Sequence, residues 1–520
     1  MKIVTAAQMQ SLDRRTITEA GIPGTTLMSA AGARIAENAE RLYGPFKGKR
    51  VTILCGKGNN GGDGFVVGRL LRKQQADVSI FLMAGIKDLS GDARIMYRRF
   101  IGSARSSSVI ANPSVDRLRA RLRSSDLVID ALLGTGLASP VSGVYAAAID
   151  VLNEINADHL FPIVAVDLPS GIHADTGEAL GTAVRATMTV TLGLPKLGLY
   201  VNQGIDHAGR VAIADIGIPP IYVDALESRL SLMTPSEVRH VLPRRPPSAH
   251  KGTYGHAAII AGSIGKTGAA AMAAKAALRV GTGLVTVATP ASVNRMLEAK
   301  LLEAMTAPMP ETDAATLAFT GLDRLVALVH DRTAVAVGPG LTTHPDTARL
   351  VQELVQRIDK PCVIDADGLN ALSAKPEILT ASKVPLILTP HPGEMARLER
   401  SSPQAVNTNR ISTAVRFAEG HRVIVVLKGA RTVVARPDGF AAICPTGNPG
   451  MATAGTGDVL TGMIVGLLAQ RLNPWDAACA ATYLHGLAGD MAAMDIGPIG
   501  MTAGDVIERI PHAIRQTIAA

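Results

Sequence analysis

Aromatic residues are scarce in this chain, 3% of 520 residues with a single tryptophan. Such a core has to close on Ala, Val, Leu and Ile. A hydrophobic content of 47% with 51 glycines fits strands and helices that meet closely at glycine turns, as in α/β enzymes, and makes disorder a poor reading. No block of five or more Lys and Arg accompanies the formal charge of +8. With aromatics also missing, phosphorylated small molecules explain the basic excess better than nucleic acid, and a solvated basic surface explains it equally well. The four cysteines, Cys55, Cys362, Cys444 and Cys479, are far apart and form no C-x-x-C pair, so buried, reduced thiols of a cytoplasmic protein are expected. The opening Met1 to Gln8 has no apolar region, and no run of about 18 apolar residues occurs, so neither secretion nor a membrane partner is expected. At about 150 residues per domain, the length predicts two to four domains.

What is present centres on Asn448-Pro449-Gly450-Met451-Ala452-Thr453-Ala454-Gly455-Thr456-Gly457-Asp458. From Val459 the apolar residues Val459, Leu460, Met463, Ile464, Leu467 and Leu468 recur at helical spacing, which places Gly455 to Asp458 at the N-terminus of a buried helix. Unpaired N–H groups and the helix dipole favour an anion there, and small residues let a phosphate approach. A carboxylate in that cradle repels the anion but is well placed to take a proton from a hydroxyl attacking phosphorus, so Asp458 is the candidate base. The competing reading makes Asp458 an ordinary first-turn acid. Gly455-Thr456-Gly457-Asp458 resembles the anion hole and catalytic Asp of the ribokinase-like superfamily.

The first half alternates strand candidates Val51 to Cys55, Asp77 to Met83, Asp126 to Leu133, Ile163 to Asp167 and Met188 to Leu192 with helical patterns, after an N-terminal helical pair. This rhythm predicts a doubly wound parallel sheet, whose ligands bind beyond the strands' carboxyl ends. Three polar loops follow those strands: Gly56 to Gly64, Gly134-Thr135-Gly136, and Asp167-Leu168-Pro169-Ser170-Gly171. Gly56, Gly58 and Gly61 match G-x-G-x-x-G, but a dinucleotide fingerprint wants an acid ending the second strand, and Asp77 begins it. The density of Asn and Asp suits a site for both a phosphate and a hard cation. Taken singly, Asp130 reads as a carboxylate bonded to turn amides and Ser170 as a turn residue.

Together, Asn59-Asn60-Gly61-Gly62-Asp63-Gly64, Asp130-Ala131-Leu132-Leu133-Gly134-Thr135-Gly136 and Asp167-Leu168-Pro169-Ser170-Gly171 resemble the YjeF-type domain of NAD(P)H-hydrate epimerases, over roughly residues 1–219. The resemblance implies a substrate pocket from Asn59, Asn60, Gly61, Gly62, Asp63, Gly134, Thr135, Gly136, Leu137, Ala138, Ser139, Pro140, Tyr145 and Asp167. It also implies potassium near Asn60, Asp130 and Ser170, and Asp167 as the acid/base group at the nicotinamide C6 centre. Tyr145 reads equally as an amphipathic helix residue.

Proline-rich breaks at Gly217-Ile218-Pro219-Pro220 and Leu242 to Ser248 place the domain join near 220–233, with Thr234 capping a short helix that starts at Pro235. No internal repeat is evident. In the second half, Gly265-Lys266-Thr267 lacks the upstream glycine of a Walker A loop, Ile260 standing in its place, and reads as a turn into the helix Ala269 to Arg279. Strands His256 to Ala261, Ala334 to Val337, Cys362 to Asp365, Leu386 to Leu388 and Val423 to Leu427 end in polar or glycine loops that can converge on the Asp458 rim. Lys428 reads as a phosphate partner or as a snorkelling surface lysine, and His391 as a substrate donor or a satisfied loop histidine.

Tyr254-Gly255-His256, Thr267-Gly268-Ala269-Ala270, Gly338-Pro339-Gly340, His391-Pro392-Gly393-Glu394, Lys428-Gly429-Ala430-Arg431-Thr432 and Gly455-Thr456-Gly457-Asp458 resemble, in this order, the NAD(P)H-hydrate dehydratase branch of the ribokinase-like superfamily, over roughly 234–520. His391 and Glu394 stand where many superfamily members carry Asn-x-x-Glu to organise magnesium, a departure that argues against an ordinary sugar kinase. The resemblance implies substrate contacts from Ala269, Gly340, His391 and Asp458, contacts to the AMP moiety from Lys428, Gly429, Ala430, Arg431, Thr432 and Gly457, and Mg2+ with the nucleotide. The whole chain is thus similar to bifunctional repair enzymes of hydrated nicotinamide cofactors (NAD(P)HX), with ADP as phosphoryl donor and a homo-oligomeric state expected. Two readings compete: a ribokinase-like vitamin or sugar kinase with a non-catalytic N-terminal binding domain, and a non-catalytic scaffold.

Overall fold

The computed structural model describes residues 1–103, 108–158 and 160–519. The chain divides into two compact units, Met1–Ser228 and Arg229–Ala520.

The first unit holds seven parallel strands: β1 (Arg50–Cys55), β2 (Asp77–Leu82), β3 (Val109–Ala111), β4 (Leu127–Ala131), β5 (Ile163–Val166), β6 (Met188–Leu192) and β7 (Arg210–Ala214), in the order β3-β2-β1-β4-β5-β6-β7. The five inner strands are the five that the βαβ rhythm predicts. They are mostly buried on both faces and read as largely apolar runs, interrupted by Thr52, Ser79, Asp130, Thr189 and Thr191. The omitted β3 and β7 are the sheet's edges and are largely half-buried. The predicted N-terminal pair is Ala6–Thr18 and Gly24–Tyr43, the latter burying Leu27, Met28, Ala31, Ile35 and Ala39 at helical spacing. Strand order reverses between β1 and β4, so their carboxyl ends open the crevice in which such sheets bind ligands.

The second unit builds one ten-stranded sheet from β8 (Leu230–Leu232), β9 (His256–Ile260), β10 (Leu284–Pro290), β11 (Met305–Met309), β12 (Ala334–Val337), β13 (Cys362–Ile364), β14 (Leu386–Leu388), β15 (Ile424–Leu427), β16 (Val433–Ala435) and β17 (Ala441–Ile443). Their order is β11-β10-β9-β12-β13-β14-β15-β16-β17-β8, parallel except where β16 runs against both neighbours. The sequence pattern misses β10, β11, β8, β16 and β17. The last three are three residues long, as are β13 and β14, which the pattern does find. Strand β8 precedes residue 234, where the sequence pattern starts the second half, and joins its sheet by pairing with β17.

Thr234 caps the helix Pro235–Val241: its hydroxyl accepts from the Glu237 N–H at 3.3 Å, and the Glu237 carboxylate accepts from the Thr234 N–H at 2.9 Å. The glycine-loop helix is Thr456–Ala469, buried almost throughout. Its Val459, Met463, Ile464 and Leu467 share one apolar core with Ala270, Ala273, Ala274 and Ala277 of the helix Thr267–Arg279. Alanine faces explain how a core forms with so few rings. No described helix is long and apolar enough to cross a membrane.

Candidate active sites

In the first unit a cleft of about 700 Å³ lies beyond β1 and β4. Asn59, Asn60, Asp63, Tyr145, Asp167 and the run Gly134 to Ser139 line it. Gly61, Gly62 and Pro140 are not among these lining residues. Both glycines are closely packed: a Cβ on Gly61 would sit 1.9 Å from the Gly56 carbonyl oxygen, and one on Gly62 would sit 2.6 Å from Met28 Sδ. Tyr145 takes both of its readings, lining the cleft from the helix Gly143–Ile155 while packing on the apolar core.

Asp167 follows β5 with φ 67, a left-handed conformation rare for a non-glycine residue and frequent at functional sites. Its Oδ1 accepts from Lys196 Nζ at 2.6 Å, Thr191 Oγ1 at 3.1 Å and the Leu192 N–H at 3.0 Å. Lys196 is fully buried, and Oδ2 has no partner among the described residues. Sequence reasoning missed Lys196, which lies 29 residues away with nothing local to mark it. It also missed Asp13, which lines the same cleft from the first helix. Burial pushes the Asp13 carboxyl up to about 6, with Asp167 reinforcing and Lys196 opposing.

Asp130 and Ser170 meet. The Ser170 N–H donates to Asp130 Oδ2 at 2.8 Å and its hydroxyl to Oδ1 at 2.6 Å, while the Leu132 N–H donates to Oδ1 at 3.2 Å. The turn-amide reading of Asp130 therefore holds as well. Burial still pushes this carboxyl up to about 6, with only hydrogen bonds opposing and no cationic side chain contributing. Asn60 approaches the adjoining Leu133-Gly134 turn, its Nδ2 buried without a hydrogen-bond partner. An uncompensated buried carboxyl beside amide and hydroxyl oxygens fits a hard monovalent cation.

In the second unit Gly455 opens its helix at φ 93, and a Cβ there would meet Met272 at 2.5 Å. Only glycine fits. Thr456 Oγ1 ties the loop back to the carbonyls of Met451 and Thr453, both at 2.9 Å. Asp458 lies in the first turn, with no hydrogen-bond partner among the described residues. Burial, reinforced by Asp365 and opposed by Lys428, pushes its carboxyl up to about 7.

Lys428 is no surface residue. Its Nζ lies 2.6 Å from Asp365 Oδ1 and 3.7 Å from Glu394 Oε2. Burial works against its charge, but Asp365 and Glu394 outweigh it and hold the ammonium above the ordinary lysine range. The other Asp365 oxygen accepts from Thr461 Oγ1 at 2.6 Å. A Cβ on Gly457 would lie 3.4 Å from Lys428 Nζ, so this loop and the β15 end meet. His391 does cap its own helix: Nδ1 accepts from the N–H groups of Gly393 at 2.9 Å and Glu394 at 3.4 Å. That assigns the proton to Nε2, 3.4 Å from Glu394 Oε1. Gly340 and Ala269 are neighbours, a Cβ on Gly340 falling 3.3 Å from that of Ala269. Lys266 bonds Asp367 at 3.2 Å, which links that turn to the Asp365 loop. Within the turn after β15, Arg431 donates to the Pro445 carbonyl and Thr432 Oγ1 to the Gly429 carbonyl at 3.1 Å. Asp365 and Thr461 were the partners that no local pattern singled out, because they meet only once β13 and the glycine-loop helix are packed.

Two doubly wound α/β units, one Rossmann-like with a carboxyl-lined cleft and one ribokinase-like with a glycine-capped helix N-terminus that carries Asp458, define a two-site α/β enzyme. Residues 24–198 match the family described as YjeF-related protein N-terminus, and 257–512 the family described as NAD(P)H-hydrate dehydratase. The chain is 46% identical over 520 residues to a bifunctional NAD(P)H-hydrate repair enzyme of Moorella thermoacetica, covering 99% of this chain and 97% of that one. It is 34% identical over 470 residues to the enzyme of that name from Escherichia coli K12, covering 90% and 85%. A ribokinase-like superfamily protein from Enterococcus faecalis V583 superposes with a TM-score of 0.50 at 25% identity, over 57% of this chain and 99% of that one. The chain belongs to the family of bifunctional NAD(P)H-hydrate repair enzymes. Membership along the whole length does not favour a sugar or vitamin kinase with a non-catalytic first domain.

Proposed function

We propose that residues 1–219 interconvert the R and S epimers of hydrated NAD(P)H, and that residues 234–520 use ADP to dehydrate the S epimer to NAD(P)H, releasing AMP and phosphate. The observation that carries this reading is Asp458, an unpartnered carboxyl at a helix N-terminus whose pKa is pushed to about 7, where a general base works best. Asp458 takes the proton of the C6 hydroxyl as that oxygen attacks the β-phosphorus of ADP, and AMP leaves. The N–H groups of Gly455 to Gly457 receive the charge of the transferring phosphoryl group. Water is a poor leaving group. Phosphate departs from C6 with the bonding electron pair as a stable anion, and loss of a C5 proton restores the double bond.

In this reading Lys428, Gly429, Ala430, Arg431, Thr432 and Gly457 contact the AMP moiety, while Ala269, Gly340, His391 and Asp458 contact the hydrate. Magnesium bound with the nucleotide would spread phosphate charge, and Glu394 and Asp365 are the carboxylates to hold its water shell. In the first half Asp167 works at C6, and Asn59, Asn60, Asp63, Tyr145 and the Gly134 to Ser139 run seat the substrate. Asn60, Asp130 and Ser170 would hold potassium, whose charge compensates buried Asp130. A cytoplasmic location and homo-oligomeric assembly belong to the same proposal.

The test is incubation with mixed-epimer hydrate of NADH and either ADP or ATP, following the absorbance of the reduced nicotinamide. Recovery of NADH with ADP supports the reading. No recovery with either nucleotide contradicts it.

A further inference from the structure

We propose that Asp63 is the proton donor that complements Asp167 in the first half's epimerisation, with Asp13 as the positioning residue that keeps the donor protonated. The inference rests on the epimerase reading above and adds to it a second acid/base group. Asp63 lies on the helix Asn59–Lys73, is 7% exposed, lines the cleft, and makes no hydrogen bond or ion pair among the described residues. Asp167 is its opposite: the same cleft gives that carboxylate a buried ammonium at 2.6 Å. Asp13, Asp63, Asp92 and Asp167 line the cleft with Lys57 and Lys196, and of these Asp13, Asp63 and Asp167 act on one another and share the influence of Lys196. The lysine's hydrogen bond goes to Asp167, so the charge it compensates is there, and like charges disfavour ionisation of the other two. Burial first, then Asp167 and Asp13, hold Asp63 well above the ordinary carboxylate range, with Lys196 opposing. A carboxyl bonded to an ammonium beside one that has no partner can divide the roles of base and acid.

The chemistry needs both. In the hydrate, C6 is a hemiaminal carbon that carries a hydroxyl and the ring nitrogen N1. Asp167 Oδ2 takes the hydroxyl proton, the oxygen forms a carbonyl bond to C6, and the C6–N1 bond breaks with its electron pair going to N1. Asp63 protonates N1. Rotation about the C5–C6 bond presents the other carbonyl face. N1 then re-attacks C6 while giving its proton back to Asp63, and the oxygen recovers its proton from Asp167. Each group ends as it began, so one epimer becomes the other with no net proton to dispose of.

The test uses the full chain with ADP and a mixed-epimer hydrate, so that the second half reports on the first. Wild type is expected to consume the S fraction and then the R fraction faster than spontaneous epimerisation supplies it. Asp63→Asn is expected to keep the first phase and lose about 10²- to 10⁴-fold in the second, in kcat with KM for the R epimer held within about threefold. Asp13→Asn removes a charge that raises Asp63, so the alkaline limb of the second-phase pH profile is expected to move to lower pH. A purely structural role for Asp13 would leave that limb in place. A second phase at wild-type rate in Asp63→Asn, or an unmoved limb in Asp13→Asn, overturns the assignment. A wild type that never exceeds the spontaneous rate overturns the epimerase reading itself and the assignment with it.

Discussion

Each half places a carboxyl that carries its proposed chemistry near a lysine, buried in the first half and half-buried in the second, and the two lysines do opposite things. Lys196 bonds Asp167 itself at 2.6 Å, together with Thr191 and the Leu192 amide, so that carboxyl sits as one arm of a buried ion pair with a single oxygen left over. Lys428 bonds Asp365 at 2.6 Å and reaches Glu394, and Asp458 is left without a hydrogen bond, pushed up to about 7. Where the ammonium points decides the work of the nearby acid. Paired directly, the acid is held in place with one oxygen left open to the cleft. Passed over, it is a group poised to change its proton near neutral pH.

The largest break of this comparison is Asp458→Asn. The amide is nearly isosteric but cannot take a proton, so dehydration is expected to fall about 10²- to 10⁴-fold in kcat with nucleotide binding retained. Turnover near wild type, measured with S epimer and ADP, would remove Asp458 from the chemistry. Next is Lys196→Met. Stranding Asp167 as a buried charge is expected to destabilise the first unit by about 3–5 kcal/mol and to abolish epimerisation. Thermal and denaturant melts check this, and an unchanged midpoint with normal epimerisation would show the ion pair to be dispensable.

The pH dependence comes next in size. Asp458 has to be ionised to accept a proton, so kcat/KM for dehydration is expected to fall about tenfold per unit as pH drops below about 7. Lys428 opposes the rise of Asp458, so Lys428→Met moves that limb to higher pH. A limb near pH 4 in wild type would mean that burial does not set the base. The smallest effect concerns the cation: Asp130→Ala is expected to make epimerisation insensitive to potassium while wild type responds. If neither enzyme responds to potassium, the Asn60, Asp130 and Ser170 ion site is wrong.

How much of this was legible depended on separation along the chain. The Asp458 loop and its helix are contiguous, so glycine pattern and apolar period reveal the helix start together. The inner strands of the first sheet were legible as mostly apolar runs within the alternation of strands and helices; β3, β7, β16 and β17 are apolar too and were passed over. The partners that set the electrostatics were not legible. Lys196 lies 29 residues from Asp167 and Lys428 lies 63 from Asp365, and only strand order brings them together. The close packing of Gly61 and Gly62 was not legible either, because a glycine kept for packing and one kept for a ligand look the same in sequence.

The central claim is that the two acids serve two separate reactions, and Asp167→Ala tests it most directly. With ADP and a mixed-epimer hydrate, the appearance of NADH is followed from the first seconds to completion. This variant is expected to convert the S fraction at the wild-type rate and then stall, fed only by spontaneous epimerisation. An initial phase slowed as much as the later one would contradict the account, because Asp167 would then be acting on dehydration as well.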